Sequence, residues 1–265
     1  MIKIFKGGAP CELVQANYKL TNEMILEFET YEMDFVSGKK TFTNFADAYK
    51  MVPVKLALIQ AQYNKCCFSE AKFNGDYSDV EHFRPKGRID SWPDGKPSYP
   101  GYYWLAYDWS NLFLCKKRVN TSEKRNFFPL DDESTRNKFH FSNNNEKTLL
   151  IDISNEDPRK HIRFEKSQPV PLSERGRFNI KFFNLRHPEF VDARRIKFEL
   201  LKTIKDLVDK GLAEGKDADH FKSQIELLGS HALPSAEFSS MARDFLKGWP
   251  PLASVLDSDG NLLSS

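Results

Sequence analysis

The chain has 265 residues, 40% of them hydrophobic and 13% aromatic, with 22 phenylalanines, which supports a sizeable core in one compact unit with appended helices. Its 39 basic and 37 acidic residues leave a net charge of +2. That excludes a uniformly basic coat but allows one local positive groove.

No apolar run reaches the roughly 18 residues of a membrane span. The opening Met1-Ile2-Lys3-Ile4-Phe5-Lys6 lacks the apolar core of a signal peptide. A cytoplasmic protein without membrane association is expected. The four cysteines, Cys11, Cys66, Cys67 and Cys115, suit a reducing compartment, because the adjacent pair is a poor start for a disulfide framework.

Thr21 is placed to cap a helix running through Met24, Ile25 and Phe28, with Glu23 adding negative charge to its first turn. A short helix is expected over Asn44 to Lys50. Pro53 fits the first turn of the next, where its missing N–H is no loss, and Leu56, Ile59 and Tyr63 mark that helix's buried face.

From Cys66 to Leu130, Gly, Pro, aromatics and short β-like runs replace helical periodicity. This is the composition of an irregular centre, where function usually sits. Tyr99, Tyr102, Tyr103 and Trp104 read chiefly as core, with base stacking the lesser reading. After Pro158 the helices return. Ile196, Leu200, Ile204, Leu207 and Val208 form an apolar stripe ending near Gly211, read as core packing. Phe221, Ile225 and Leu228 mark a second helix stopped by Gly229. Ser235 is placed to cap a third, through Phe238, Met241, Ala242, Phe245 and Leu246. His187, before Pro188, marks the start of the long helix. His140, His161, His220 and His231 lie in no ligand spacing.

The central stretch carries Val80-Glu81-His82-Phe83-Arg84-Pro85-Lys86, then Trp109-Ser110-Asn111-Leu112, then Val119-Asn120-Thr121-Ser122-Glu123-Lys124. A histidine behind a carboxylate, then two asparagines, supplies what phosphodiester hydrolysis needs. A neutral imidazole takes the proton of an attacking water, and a divalent cation on hard oxygen ligands offsets the phosphate's charge. Neighbouring Glu81 and His82 point to opposite sides of an extended segment, so a bend is needed to bring both to one phosphate. Asn120 enters a short helix through Thr121 to Arg125, on which Lys124 would face the same side and contact a phosphate. Arg84, Lys86, Arg88, Lys116, Lys117, Arg118, Lys124 and Arg125 flank the motif as two basic runs; such runs are usually a solvated face, but two converging on one metal site would make a positive lip for a nucleic-acid backbone.

In this order of residues the segment 66–130 resembles the HNH endonucleases with a ββα-metal finger. The wider chain resembles the PtuB-like nucleases of Septu-type and retron-associated anti-phage systems. The likeness extends to Ile2-Lys3-Ile4-Phe5-Lys6-Gly7, to Tyr102-Tyr103-Trp104-Leu105-Ala106-Tyr107-Asp108 leading into Trp109, and to Phe127-Phe128-Pro129-Leu130. It also takes in Glu156-Asp157-Pro158 and Ala236-Glu237-Phe238-Ser239-Ser240-Met241-Ala242-Arg243.

The resemblance implies a catalytic set of His82 as general base, Asn111 as the amide bracing the loop, and Asn120. Glu81 and Asn120 would hold one Mg²⁺ or Mn²⁺ ion, and Arg84, Lys86 and Lys124 would meet the phosphate backbone of DNA or RNA. It implies a companion ATPase subunit of PtuA type, and in retron-linked systems a reverse transcriptase with its msDNA. The expected fold is α+β and predominantly helical. A small ββα-metal module over 66–130 would be flanked by helical regions over 1–65 and 131–265, with any partner contact after residue 190.

Related chains carry Cys-x-x-Cys before the histidine and again before the last asparagine, together binding a structural zinc. Here the first pair reads Cys66-Cys67-Phe68-Ser69 and the second Lys116-Lys117-Arg118-Val119, with Cys115 one place out of register. Tetrahedral zinc needs four ligands. No structural zinc is therefore expected, and packing by Phe68, Phe113 and Val119 would hold the finger instead. The competing reading is a catalytically inactive nucleic-acid-binding or scaffold subunit; the intact His-Asn-Asn order weighs against it.

Overall fold

Part of the excess of phenylalanine goes into a cluster of Phe28, Phe35 and Phe42 around Tyr103. Phe28 stacks on Tyr103 with ring centroids 5.1 Å apart, Phe42 on Tyr103 at 4.8 Å, and Phe35 on Phe42 at 4.1 Å. Each such pair adds about 0.5–1.5 kcal/mol beyond the area it buries. Tyr102 and Tyr103 are fully buried, whereas Tyr99 lines a cleft described below.

The computed structural model describes residues 1–42, 45–75 and 78–254. The chain forms two compact units, one of Ile4–Phe68 with Phe73–Glu156, the other of Met1–Lys3, Ser69–Lys72 and Asp157–Ser265. The fold is α+β and predominantly helical, with seven α-helices and three two-stranded antiparallel sheets among the described residues: β1 (Ser78–His82) with β4 (Leu112–Lys116), β2 (Ile89–Asp90) with β3 (Pro97–Ser98), and β5 (Ile162–Glu165) with β6 (Gln168–Pro171). No described helix is long and apolar enough to cross a membrane.

The first unit opens with α1 (Cys11–Thr30) and α2 (Glu32–Val36). The helix expected to start at Thr21 begins ten residues earlier, because the amides of Leu13 and Val14 bond back to the carbonyl of Pro10. Thr21 is an interior residue whose hydroxyl donates to Asn17 Oδ1 at 2.7 Å. The helix expected from Asn44 resolves as a 3₁₀ turn, Asp47–Lys50, and Asn44 itself lies outside the described residues.

α3 (Val52–Ala61) carries Pro53 in its first turn. Its buried face is not the expected one: Leu56 and Tyr63 are exposed, and Val54, Leu58 and Gln62 point inward. The Gln62 amide explains the choice of face. Its Nε2 donates to the carbonyls of Lys65 and Leu114, both at 2.9 Å, and its Oε1 accepts from Leu114 N at 2.7 Å. A buried side chain thus completes the strand edge, where unpaired backbone groups would be costly.

The second unit holds the hairpin β5 (Ile162–Glu165) and β6 (Gln168–Pro171), α4 (Glu174–Phe182), α5 (Pro188–Ala213), α6 (Lys222–Ala232) and α7 (Ser239–Leu246). His187 starts α5 as expected, with its ring accepting from Glu189 N. The expected core stripe of α5 is mostly on the surface. Ile196, Leu200 and Leu207 are exposed, and Phe190, Arg194, Phe198, Leu201 and Val208 form the buried face.

Glycine proved a poor terminator here. Gly229 lies inside α6, and Gly211 lies inside α5 with the Phe221 ring packed where a Cβ would stand. Ser235 does not cap α7; the Glu70 carboxylate does, accepting from Ser240 N at 3.2 Å and from Ser239 Oγ at 3.0 Å. Replacing glycine by alanine inside a helix ordinarily stabilises by about 1 kcal/mol. Gly211→Ala is expected to do the opposite, because the methyl overlaps an aromatic ring, and to lower unfolding free energy by about 1–3 kcal/mol. Urea denaturation checks it, and a more stable variant would refute the packing argument.

Candidate active site

β1 (Ser78–His82) pairs antiparallel with β4 (Leu112–Lys116), which sets Glu81 opposite Phe113 and His82 opposite Leu112. β4 runs on into a π-type turn, Val119–Lys124, closed by Arg125 N on Asn120 O at 2.7 Å. Short π segments recur at functional sites because they re-aim a side chain. Strand, strand and turn surround an open cleft of about 660 Å³ whose lining includes Glu81, His82, Lys86, Arg88, Asn120 and Arg125. Glu81 and His82 thus meet the same space, as the chemistry requires and a flat strand would forbid.

His82 is held on three sides. Its Nε2 lies 2.8 Å from the Ala106 carbonyl, which can only accept, so Nε2 carries the proton. Nδ1 faces the Lys86 ammonium at 3.4 Å. Tyr49 meets the ring edge-on, with centroids 4.7 Å apart. Burial holds the imidazole well below its ordinary pKa, helped by the positive charge of Lys86, and so keeps it neutral. A neutral ring with its proton on Nε2 presents a basic Nδ1.

Asn111 braces two segments at once. Its Oδ1 accepts from Arg84 N at 2.7 Å, and its Nδ2 donates to the carbonyls of Arg84 and Leu105, both at 3.0 Å. Its backbone carbonyl accepts from Phe83 N at 2.9 Å. The residues after His82 and the segment that offers the Ala106 carbonyl are therefore tied to one side chain.

The carboxylate and amide expected to hold a cation both open on the cleft. Glu81 is 5% exposed, and burial raises its carboxyl above the usual range while the Lys124 ammonium pulls it back. That ammonium lies 3.1 Å from Oε1. A buried carboxylate on the cleft wall is a hard oxygen donor of the kind a divalent cation takes, and such a cation would share Oε1 with the Lys124 ammonium. Asn120 turns its Nδ2 toward Asp79 Oδ2 at 3.4 Å, which leaves Oδ1 on the other side of the amide. The donor set fits a Mg²⁺- or Mn²⁺-like ion.

Two expected phosphate contacts lie elsewhere. Lys124 is fully buried and paired with Glu81, since an ammonium taken out of water must stay beside its countercharge. The Arg84 guanidinium bonds Glu146 Oε1 at 2.9 Å and rests over the Phe128 ring, so Arg84 serves the site through its backbone. Lys86, Arg88 and Arg125 do line the cleft. Burial lowers the pKa of Lys86 to about 8, so it remains mostly cationic at neutral pH.

The broken cysteine register has a compact outcome. Cys66, Cys67 and Cys115 are buried with their sulfurs within 4.8 Å of one another, and those of Cys66 and Cys115 are 3.8 Å apart. Among the described residues no fourth Cys, His or carboxylate joins them. Burial pushes the Cys67 and Cys115 thiols well up, toward the protonated form. Three sulfurs fall short of the four ligands a tetrahedral zinc site takes.

No family model matches the chain. It is 33% identical to the Septu protein PtuB of Bacillus mycoides (strain KBAB4) over 202 residues, covering 73% of this chain and 66% of that protein. The chain belongs to the PtuB family. The Septu protein PtuB of Bacillus thuringiensis is 29% identical over 122 residues, covering 45% of this chain and 36% of that one. This PtuB-like chain thus spans about two thirds and about one third of the two relatives' lengths.

Sequence reasoning missed three parts of this candidate site. Tyr49 lies 33 residues before His82 on a separate turn, and no local signal ties it to the ring. The Ala106 carbonyl is backbone and carries no residue preference. Asp79 was within reach: it sits two places before Glu81, hence on the same face of β1.

Proposed function

We propose that this chain is a metal-dependent endonuclease, the nucleic-acid-cutting subunit of a Septu-type anti-phage system that works with an ATPase. The observation that carries the reading is His82, neutral and with Nε2 fixed on Ala106, aiming Nδ1 into a cleft it shares with Glu81, Asn120 and Lys86. A structural histidine needs no such company.

In the proposed reaction His82 Nδ1 takes a proton from water as the water's oxygen bonds to phosphorus. The bond from phosphorus to the 3′ oxygen breaks, and that oxygen ends protonated, leaving 5′-phosphate and 3′-hydroxyl ends. A cation held by Glu81 and Asn120 would draw charge from the phosphate and steady the leaving oxygen. An incoming phosphodiester offers Lys86 a stronger partner than a neutral ring nitrogen, so substrate binding would draw its ammonium away and open Nδ1 to water. Arg88 and Arg125 on the cleft wall would hold the backbone without reading bases.

Cleavage of end-labelled DNA and of a tRNA pool in Mn²⁺, with the ends mapped, tests this. Cutting with 5′-phosphate and 3′-hydroxyl ends is expected, alone or once the ATPase is added. Ends bearing 3′-phosphate would overturn the mechanism. No cutting in any mixture, together with no Mn²⁺ binding by calorimetry, would favour a scaffold subunit.

A further inference from the structure

We propose that Lys6 is a positioning residue for the histidine site, acting through the turn that carries Asn111. This rests on the nuclease reading only for its effect on cleavage. Lys6 comes from the opening phrase of the sequence, far from any chemistry-bearing motif.

Its Nζ donates to three carbonyls of one turn, Trp109 at 2.7 Å, Ser110 at 2.9 Å and Leu112 at 3.0 Å. The same ammonium lies 3.9 Å from the centroid of the Phe113 ring. In return Trp109 Nε1 donates to the Gly7 carbonyl at 2.9 Å, and Ile4 N bonds the Ile153 carbonyl at 2.7 Å. The strap over residues 4–7 is thus fastened at both ends, with the ammonium at its centre.

The turn Trp109–Asn111 is a 3₁₀ helix, and the last carbonyls of any helix lack internal partners. A lysine near a helix C-terminus commonly serves them; here it arrives from more than one hundred residues away in sequence. An ammonium has three hydrogens, and all three find acceptors. Burial lowers the pKa of Lys6 to about 8, against the pull of Asp152 and Asp108, so at neutral pH the proton stays.

Asn111, the last residue of this turn, fixes Phe83, Arg84 and Leu105, and the neighbour of Leu105 holds His82 Nε2. A turn that loses Lys6 must find other donors for its carbonyls, and the movement passes through Asn111 to the His82 ring. Lys6 touches neither cleft nor substrate, so it positions and does not catalyse.

Lys6→Met, which keeps the aliphatic stem and removes the donors, tests this alongside Lys6→Arg. The first readout is nitrogen NMR of ¹⁵N-histidine protein, with His82 assigned by its loss in His82→Gln. The native chain is expected to hold one Nε2-protonated tautomer, and Lys6→Met to show shifted or mixed tautomers. The second readout is cleavage: kcat is expected to fall roughly 10- to 100-fold, the scale of an ångström misplacement, with KM little changed. Lys6→Arg should restore both in part.

A folded Lys6→Met with unchanged His82 signals overturns the proposal. If Lys6→Met fails to fold, Lys6→Gln, which keeps a donor but not three, is read the same way. A ring response in chains that never cleave would leave the positioning role standing and sink the nuclease reading instead.

Discussion

Replacing His82 by alanine is expected to lower metal-dependent cleavage by about 10²- to 10⁴-fold, the usual contribution of a positioned general base. The argument is local. Among the described residues no other imidazole lines the cleft, and the nearest cationic group, Lys86, carries a proton at neutral pH and cannot take another. Binding should survive, because Lys86, Arg88 and Arg125 remain on the wall. The variant also strips the Ala106 carbonyl of its donor, at a cost of about 1–3 kcal/mol if the gap stays dry. Cleavage must therefore be compared per folded molecule, with a melt run in parallel. Full activity in a folded His82→Ala chain would assign the base elsewhere.

Much of this site was legible in the sequence because its parts are side chains in a fixed order. Glu81, His82, Asn111 and Asn120 are each the right chemical type; β1 and the turn after β4 bring Glu81, His82 and Asn120 to one cleft, and Asn111, in the turn before β4, braces the residues after His82 from outside it. The direction of a side chain was far less legible. Lys124 and Arg84 have the charge that suits a phosphate, yet one is sealed against Glu81 and the other against Glu146. Composition records a charge but not its nearest countercharge, and burial decides between the two uses.

The helices divide in a similar way. Their existence followed from apolar spacing, but the buried face did not. Just past α3 the inward row runs on to Gln62, a polar residue whose amide pairs with β4 in place of a neighbouring strand. On α5 it contains Arg194, whose Nε donates to the Phe190 carbonyl. Periodicity weighted by hydrophobicity misses a face built around a satisfied polar group. Gly211 misled for a related reason: glycine marks close approach as readily as it marks an end.

Lys124→Met is expected to be the most destabilising single change near the site, at about 3–5 kcal/mol, the usual cost of removing one partner of a buried ion pair. Lys124 has no exposed surface, and Glu81 has 6% of its side chain in reach of water. Without the ammonium the carboxylate must stay charged in a low-dielectric setting or take up a proton, and both cost folding energy. Removing both charges should cost much less. The double variant Glu81→Leu with Lys124→Met is expected to regain most of the loss, since apolar replacement of a buried pair is often near neutral. Urea unfolding of the native chain, both single variants and the double measures the coupling directly. A loss under about 1 kcal/mol in Lys124→Met would mean that water reaches Glu81 and that the pair contributes as little as an exposed one. The double variant also separates two roles of Glu81. If it regains stability yet neither binds Mn²⁺ nor cleaves, the carboxylate serves the cation, and Lys124 is the counterion that keeps it charged until the cation arrives.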